Sequence, residues 1–132
     1  MNDPVMIDTA AAYALVSEND SFHVAAQAIF QRLRTGGSQV FITNYALVEF
    51  QALAFRRLPF EPVRNFVEAA RNNFNIQWID TDTHWAGWEL MIARWPRLSL
   101  VDATTVLVAR QLGCAVFTFD EDFRQEGLTV IP

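Results

Sequence analysis

The sequence of 132 residues contains no lysine: all ten basic residues are arginine. That excludes a phosphate-binding P-loop, whose lysine follows a glycine-rich turn. It also counts against a phosphoacceptor receiver domain, which resembles this chain in having acids at strand ends but uses a lysine near its last strand. Cysteine is nearly absent too. One cysteine, Cys114, cannot close an internal disulfide, and its apolar setting fits a reducing cytosol. With two histidines far apart and one cysteine, a zinc site of the usual kind is not expected. No G-x-S-x-G turn is present, so a Ser-His-Asp triad has no support. No apolar run approaches the roughly 18 residues of a membrane-spanning helix. The first residues, MNDPVMIDTAAAY, have no basic segment before the apolar one, so they do not read as a signal peptide. Positive charge is scarce: the net charge is −5, unlike a simple electrostatic binder of nucleic acid.

Bulk and acid are plentiful. Apolar residues make up 52%, with eleven Phe and four Trp, enough for one domain with a substantial core. Short apolar runs (PVMID, QVFIT, FNIQWI, CAVFTF and LTVIP) alternate with helical patterns. Helices are expected over TAAAYALVSEN, SFHVAAQAIFQRLRTGG, NYALVEFQALAFRRL, PFEPVRNFVEAARNN, DTDTHWAGWELMIARW and the apolar part of PRLSLVDATTVLVARQLG. Asn44 and Ser99 are candidate N-caps, and Gly36, Gly37 and Gly113 are stops. Continuous apolar strands separated by helices predict a parallel sheet covered on both faces. DEDFRQEG is expected to be a turn. Trp78, Trp85, Trp88 and Trp95 crowd one third of the chain, and Trp85 and Trp88 share a helix face. They are assigned to the core, with an exposed partner surface as the alternative.

Four acids begin or interrupt apolar elements: Asp8, Glu49, Asp102 and Asp120. In doubly wound sheets, ligands bind beyond the carboxyl ends of the strands where strand order reverses. Asp8 follows the first strand and Asp120 the fourth, so they converge if those strands are neighbours. Asp102 lies in the first turn of an apolar helix, where interaction with the helix dipole alone would explain it. Glu49 has Tyr45, Ala46, Ala52 and Leu53 as helix-face neighbours. In that mostly apolar setting a lone carboxylate is costly unless paired. Oxygen ligands suit Mg2+ or Mn2+, and a bound cation would relieve repulsion among packed carboxylates. His23 is assigned to the surface, and His84 carries no signal.

The segments VMIDTAAAYALV, TNYALVEFQAL, LSLVDATTVLVARQLG and VFTFDEDF, in this order, resemble the PIN-domain ribonucleases, in particular the VapC-type toxins of bacterial toxin–antitoxin pairs. The resemblance covers essentially the whole chain, residues 1–132, as a single PIN domain. It implies a three-layer α/β sandwich with a central parallel sheet of four to five short strands. It also implies metal-dependent endoribonuclease activity, with Mg2+ as cofactor or Mn2+ as substitute, leaving 3′-hydroxyl and 5′-phosphate ends. Asp8 and Asp102 would be metal ligands. Glu49 and Asp120 would complete the acidic pocket, directly or through water. Asp122, Thr118 and Thr9 would be auxiliary. Ala10 departs from the family, which often carries a small hydroxyl residue there. The implied partners are an RNA substrate, a cognate antitoxin and a second copy in a homodimer, in the cytoplasm and away from membranes. A catalytically idle PIN-like interaction module remains the alternative.

Overall fold

A computed structural model of the chain describes residues 3–131. Five strands form one sheet: β1 (Val5–Ile7), β2 (Val40–Thr43), β3 (Asn75–Gln77), β4 (Ala115–Phe117) and β5 (Val130–Ile131). Their order is β3-β2-β1-β4-β5, and every pairing is parallel. This is the sheet that the apolar runs predict, with strands one or two residues shorter at most ends. The predicted Pro132 end of the last strand lies outside the described residues.

Six α-helices cover the described sheet: α1 (Thr9–Val16), α2 (His23–Thr35), α3 (Asn44–Arg57), α4 (Phe60–Asn73), α5 (Thr81–Arg94) and α6 (Leu100–Leu112). Side-chain caps set several boundaries. Asp8, Thr43, Asp80 and Ser99 each accept a backbone N–H from the first turn of the helix they precede. Thr43 therefore takes the role expected of Asn44, whose Oδ1 instead accepts the N–H of Ile79 at 2.7 Å. Gly113 closes α6 at φ 68°, a left-handed conformation that favours glycine. The expected turn DEDFRQEG contains a short 3-10 helix, Glu121–Glu126, capped by Asp120.

Two apolar clusters flank the sheet. One gathers Ile7, Ile42, Phe50 and Phe117 with α1 to α4; the other gathers Met6, Val106, Val116 and Phe123. Cys114 is buried, and burial raises its thiol pKa, which keeps it unreactive. No helix among the described residues is long and apolar enough to cross a membrane.

The tryptophans are not core. Trp78, Trp85, Trp88 and Trp95 are 42 to 75% exposed. The reason lies in how α5 meets α6: only Gly87 of α5 is buried. A Cβ built on Gly87 would lie 2.5 Å from Thr104 Cγ2, so the helices approach closely on the glycine side. Trp85 lies roughly 200° around the helix from Gly87 and faces outward. Trp88, Met91, Ile92 and Trp95 line a shallow apolar cleft on that outer side.

Candidate active site

The chain passes from β1 to β2 and β3 on one side of the sheet, and from β4 to β5 on the other. The order therefore reverses at the β1–β4 pair, where Ile7 is in register with Phe117. The next residues, Asp8 and Thr118, face each other across the carboxyl ends of the two strands, where this sheet type opens a crevice.

Asp8 is almost fully buried. Its Oδ1 accepts the Ala11 N–H at 2.8 Å, capping α1, and its Oδ2 accepts the Thr118 hydroxyl at 2.5 Å. Thr118 Oγ1 in turn accepts the Asp120 N–H at 3.0 Å. Asp120 Oδ1 accepts the Asp122 N–H at 2.9 Å. A single hydrogen-bonded chain thus runs from Asp8 through Thr118 to Asp120 and the 3-10 helix. Asp102 enters from the first turn of α6. It forms a capping box with Ser99: Ser99 Oγ accepts the Asp102 N–H at 3.0 Å, and Asp102 Oδ2 accepts the Ser99 N–H at 3.2 Å. The helix-start role is therefore real, and it also holds the carboxylate in the crevice.

The electrostatics join these groups. Burial, first of all, pushes the Asp8 carboxyl up to about 7, against the lowering effect of its Thr118 and Ala11 hydrogen bonds. The charges of Asp102 and Asp120 raise it further. Burial likewise raises Asp102, the Ser99 bonds oppose it, and Asp120 and Glu49 add to it. Asp8, Asp102, Asp120 and Glu49 thus belong to one mutually repelling group. Among the described residues, none of the four has a basic side chain within ion-pair distance.

Glu49 differs from its expectation in one respect. It is exposed rather than enclosed by apolar neighbours. Thr9 also sits apart: its hydroxyl donates to the Ala46 carbonyl at 3.4 Å, tying α1 to α3. Asp122 is half-buried at the site's edge. Its carboxyl is raised by burial and by Asp120, and Arg97 counteracts this. Glu121 is exposed, as a solvated residue should be. His23 is half-buried, with its Nδ1 2.7 Å from the Ala14 carbonyl. His84 pairs with Tyr45, whose hydroxyl lies 2.6 Å from His84 Nδ1.

Among the described residues, no three His, Cys, Asp or Glu side chains stand together as a ready-made metal cage. The donor set still fits a hard divalent cation. It offers carboxylate oxygens, two of them on groups whose ionisation the neighbouring acids oppose. Mg2+ commonly takes only one or two carboxylates and fills its shell with water and phosphate oxygens.

A second network, invisible to local sequence patterns, braces the acids. Glu126 has a side chain only 1% exposed. Its carboxylate pairs with Arg94 (2.8 Å), Arg110 (3.1 Å) and Arg97. Arg97 also donates to the Asp122 carbonyl at 2.8 Å. The end of α5, the loop into α6 and the 3-10 helix are thereby locked together. The Arg94 and Arg97 bonds hold Glu126 down at about 2 despite its burial. A carboxyl depressed in the folded state contributes stability above its ordinary pKa, and loses it as pH falls from about 4.5 to about 2. Glu126→Gln is expected to cost about 2 to 3 kcal/mol at neutral pH, a value reduced by the partial exposure of its arginine partners. It should also flatten the acid limb of a stability–pH curve below pH 4.5. Urea unfolding across that range checks both; an acid limb unchanged in the variant would refute the assignment.

The PIN domain family model matches residues 5–127. No curated protein matches the sequence. The crystal structure of VapC20 of Mycobacterium tuberculosis, described as a sarcin-ricin loop cleaving toxin, aligns at 27% identity with a TM-score of 0.81, over 95% of this chain and 96% of that one. A toxin–antitoxin complex from Klebsiella pneumoniae aligns at 20% identity and TM-score 0.67, over 97% and 96% of the two chains. VapBC2 of Rickettsia felis, bound to a DNA fragment from its promoter, aligns at 12% identity and TM-score 0.71, over 96% of each. The last two likenesses concern the fold alone.

Proposed function

We propose, from the premise that this chain belongs to the PIN domain family, that it is the toxin of a toxin–antitoxin pair and a metal-dependent endoribonuclease. The observation that carries the reading is the gathering of Asp8, Asp102, Asp120 and Glu49 at the β1–β4 crevice without a basic partner among the described residues. The similarity to VapC20 supports the toxin assignment.

In this reading Asp8 and Asp102 hold Mg2+ or Mn2+, and Asp120 and Glu49 complete the site directly or through water. When bound, the cation lowers the pKa of a water and neutralises charge developing on the scissile phosphate. Thr118 holds Asp8 in one orientation and spaces it from Asp120. Ser99 does the same for Asp102. Asp122 lies two residues beyond the Asp120 cap and adds negative charge at the rim.

The RNA backbone needs cations away from these acids. Arg94, Arg97 and Arg110 are committed to Glu126. Arg32, Arg34, Arg56 and Arg57 have no carboxylate within 4 Å among the described residues, but they end α2 and α3, on the amino-end side of the sheet, so they can meet only backbone phosphates distant from the scissile one. The exposed tryptophan face of α5 is the natural place for a partner, either a second copy or the antitoxin.

The test is direct. Purified chain is incubated with RNA and Mn2+, Mg2+ or chelator, and the product ends are characterised. Cleavage in either metal, loss with chelator, and 5′-phosphate ends are expected. Intact RNA in both metals would instead favour an idle interaction module.

A further inference from the structure

Beside the acids lies an aromatic column that the proposed chemistry does not use. Phe117 is buried in the core, and Phe119 packs edge-on against it with ring centroids 5.9 Å apart. Phe22 then stacks on Phe119, with centroids 4.5 Å apart and planes 10° from parallel. Phe22 is the outermost ring and is 49% exposed. A cleft of about 440 Å3 opens at this point, lined by Ala10, Asp20, Phe22, Phe119, Asp120 and Glu121. Asp120 therefore belongs to both the acidic site and the cleft.

The rings are firmly placed. Phe119 is held between its two aromatic neighbours. The Phe22 N–H donates to Asp20 Oδ1 at 2.8 Å, which fixes both the loop and the carboxylate. The other Asp20 oxygen accepts no hydrogen bond among the described residues. The cleft thus offers a flat aromatic face, one oriented carboxylate acceptor and a direct opening onto Asp120. Its acidic lining repels phosphate. A nucleobase has the matching properties: a π-face to stack and, in guanine, adenine and cytosine, amino hydrogens to donate to a carboxylate.

We propose that this cleft is a nucleobase subsite. An unpaired base beside the scissile phosphate stacks on the Phe22–Phe119 pair, and an amino-bearing base donates to Asp20. Uracil is disfavoured because it has no amino group and its one edge donor, N3–H, is flanked by two carbonyl oxygens that the carboxylate would repel. Ala10 contributes here by its size, leaving room in the cleft wall that a larger residue would occupy. The inference rests on the ribonuclease reading and specifies where and how that activity selects its substrate.

The experiment uses the full chain in Mn2+ with an end-labelled pool of random-sequence single-stranded RNA, and the cut sites are sequenced. Phe22→Ala and Phe22→Leu are expected to raise KM by about 5- to 150-fold with kcat nearly unchanged, the range a base–aromatic stack confers. Phe22→Trp should retain the wild-type KM. Leucine still covers Phe119, so the Leu variant separates loss of stacking from loss of packing; its melting temperature and its response to Mn2+ should match the wild type. The wild type should discriminate against uracil at one position flanking the cut, and Asp20→Asn should relax that discrimination. A wild type that cleaves RNA, alongside a Phe22→Leu variant with an unchanged KM, overturns the subsite and leaves the ribonuclease reading intact. A wild type that cleaves no RNA overturns both.

Discussion

Asp8→Asn and Asp102→Asn are each expected to lower kcat/KM for RNA cleavage by more than about 100-fold, since even supporting residues around a metal ligand cost 10- to 100-fold when removed. Both substitutions take away a negative charge while keeping shape. Asn at position 8 still presents an oxygen to the Ala11 N–H, and Asn at position 102 still presents one to Ser99. The α1 and α6 caps therefore persist, and circular dichroism should show a folded protein. Glu49→Gln should have a smaller effect, about 10-fold, because the exposed Glu49 contributes charge at the rim rather than an enclosed ligand. Initial rates on labelled RNA in saturating Mn2+ decide the matter. An Asp102→Asn variant that cleaves at the wild-type rate would remove Asp102 from the metal centre and return it to its capping role alone.

The parts of the site that could be read from the sequence are those whose cause is local. Asp8 ends an apolar run, and Ser99 stands three residues before Asp102. Both patterns depend on neighbours within one turn, and both occur in the structure. The parallel sheet was also legible, because continuous apolar strands between helices predict burial on both faces; the strand order was not, and the β1–β4 neighbourhood entered only as a condition that the structure meets. What could not be read depends on which face of a helix meets another element. Trp85 and Trp88 share a side of α5, but the buried side is chosen by Gly87 fitting against Thr104, seventeen positions further on. Glu49 has apolar neighbours on its own helix, yet of these only Ala46 is fully buried, and Glu49 itself is open to solvent. Glu126 is the sharpest case. Its sequence neighbours suggest a solvated acid near a turn, whereas its arginine partners come from 16 to 32 residues earlier in the chain. The Phe22–Phe119 stack likewise joins two segments that nothing in their local composition relates.

Divalent cation is expected to raise the melting temperature of the wild type by about 10 °C at a hundred times its dissociation constant. A ligand that binds only the folded state adds about 2.7 kcal/mol at that ratio, and each kcal/mol shifts a domain of this size by about 4 °C. The effect should depend on pH. The Asp8 carboxyl, held at about 7 in the folded state, keeps a proton that the unfolded chain releases near pH 4. Between those values the folded state binds more protons, so metal-free stability falls as pH rises through the window from about 4 to about 7. Cation binding opposes that loss because it favours the ionised form. At pH 6 it must displace the Asp8 proton, and at pH 8 it need not. The metal increment should therefore be larger at pH 8 than at pH 6. Asp8→Asn removes both the titrating group and a ligand. Without metal at pH 8 it should melt no lower than the wild type, since a destabilising buried charge is gone, and Mn2+ should raise its melting temperature little. Thermal melts of the two proteins at both pH values, with Mn2+ or chelator, test this. A wild type whose melting temperature ignores millimolar Mn2+ at pH 8 would mean that the four acids do not share a metal site.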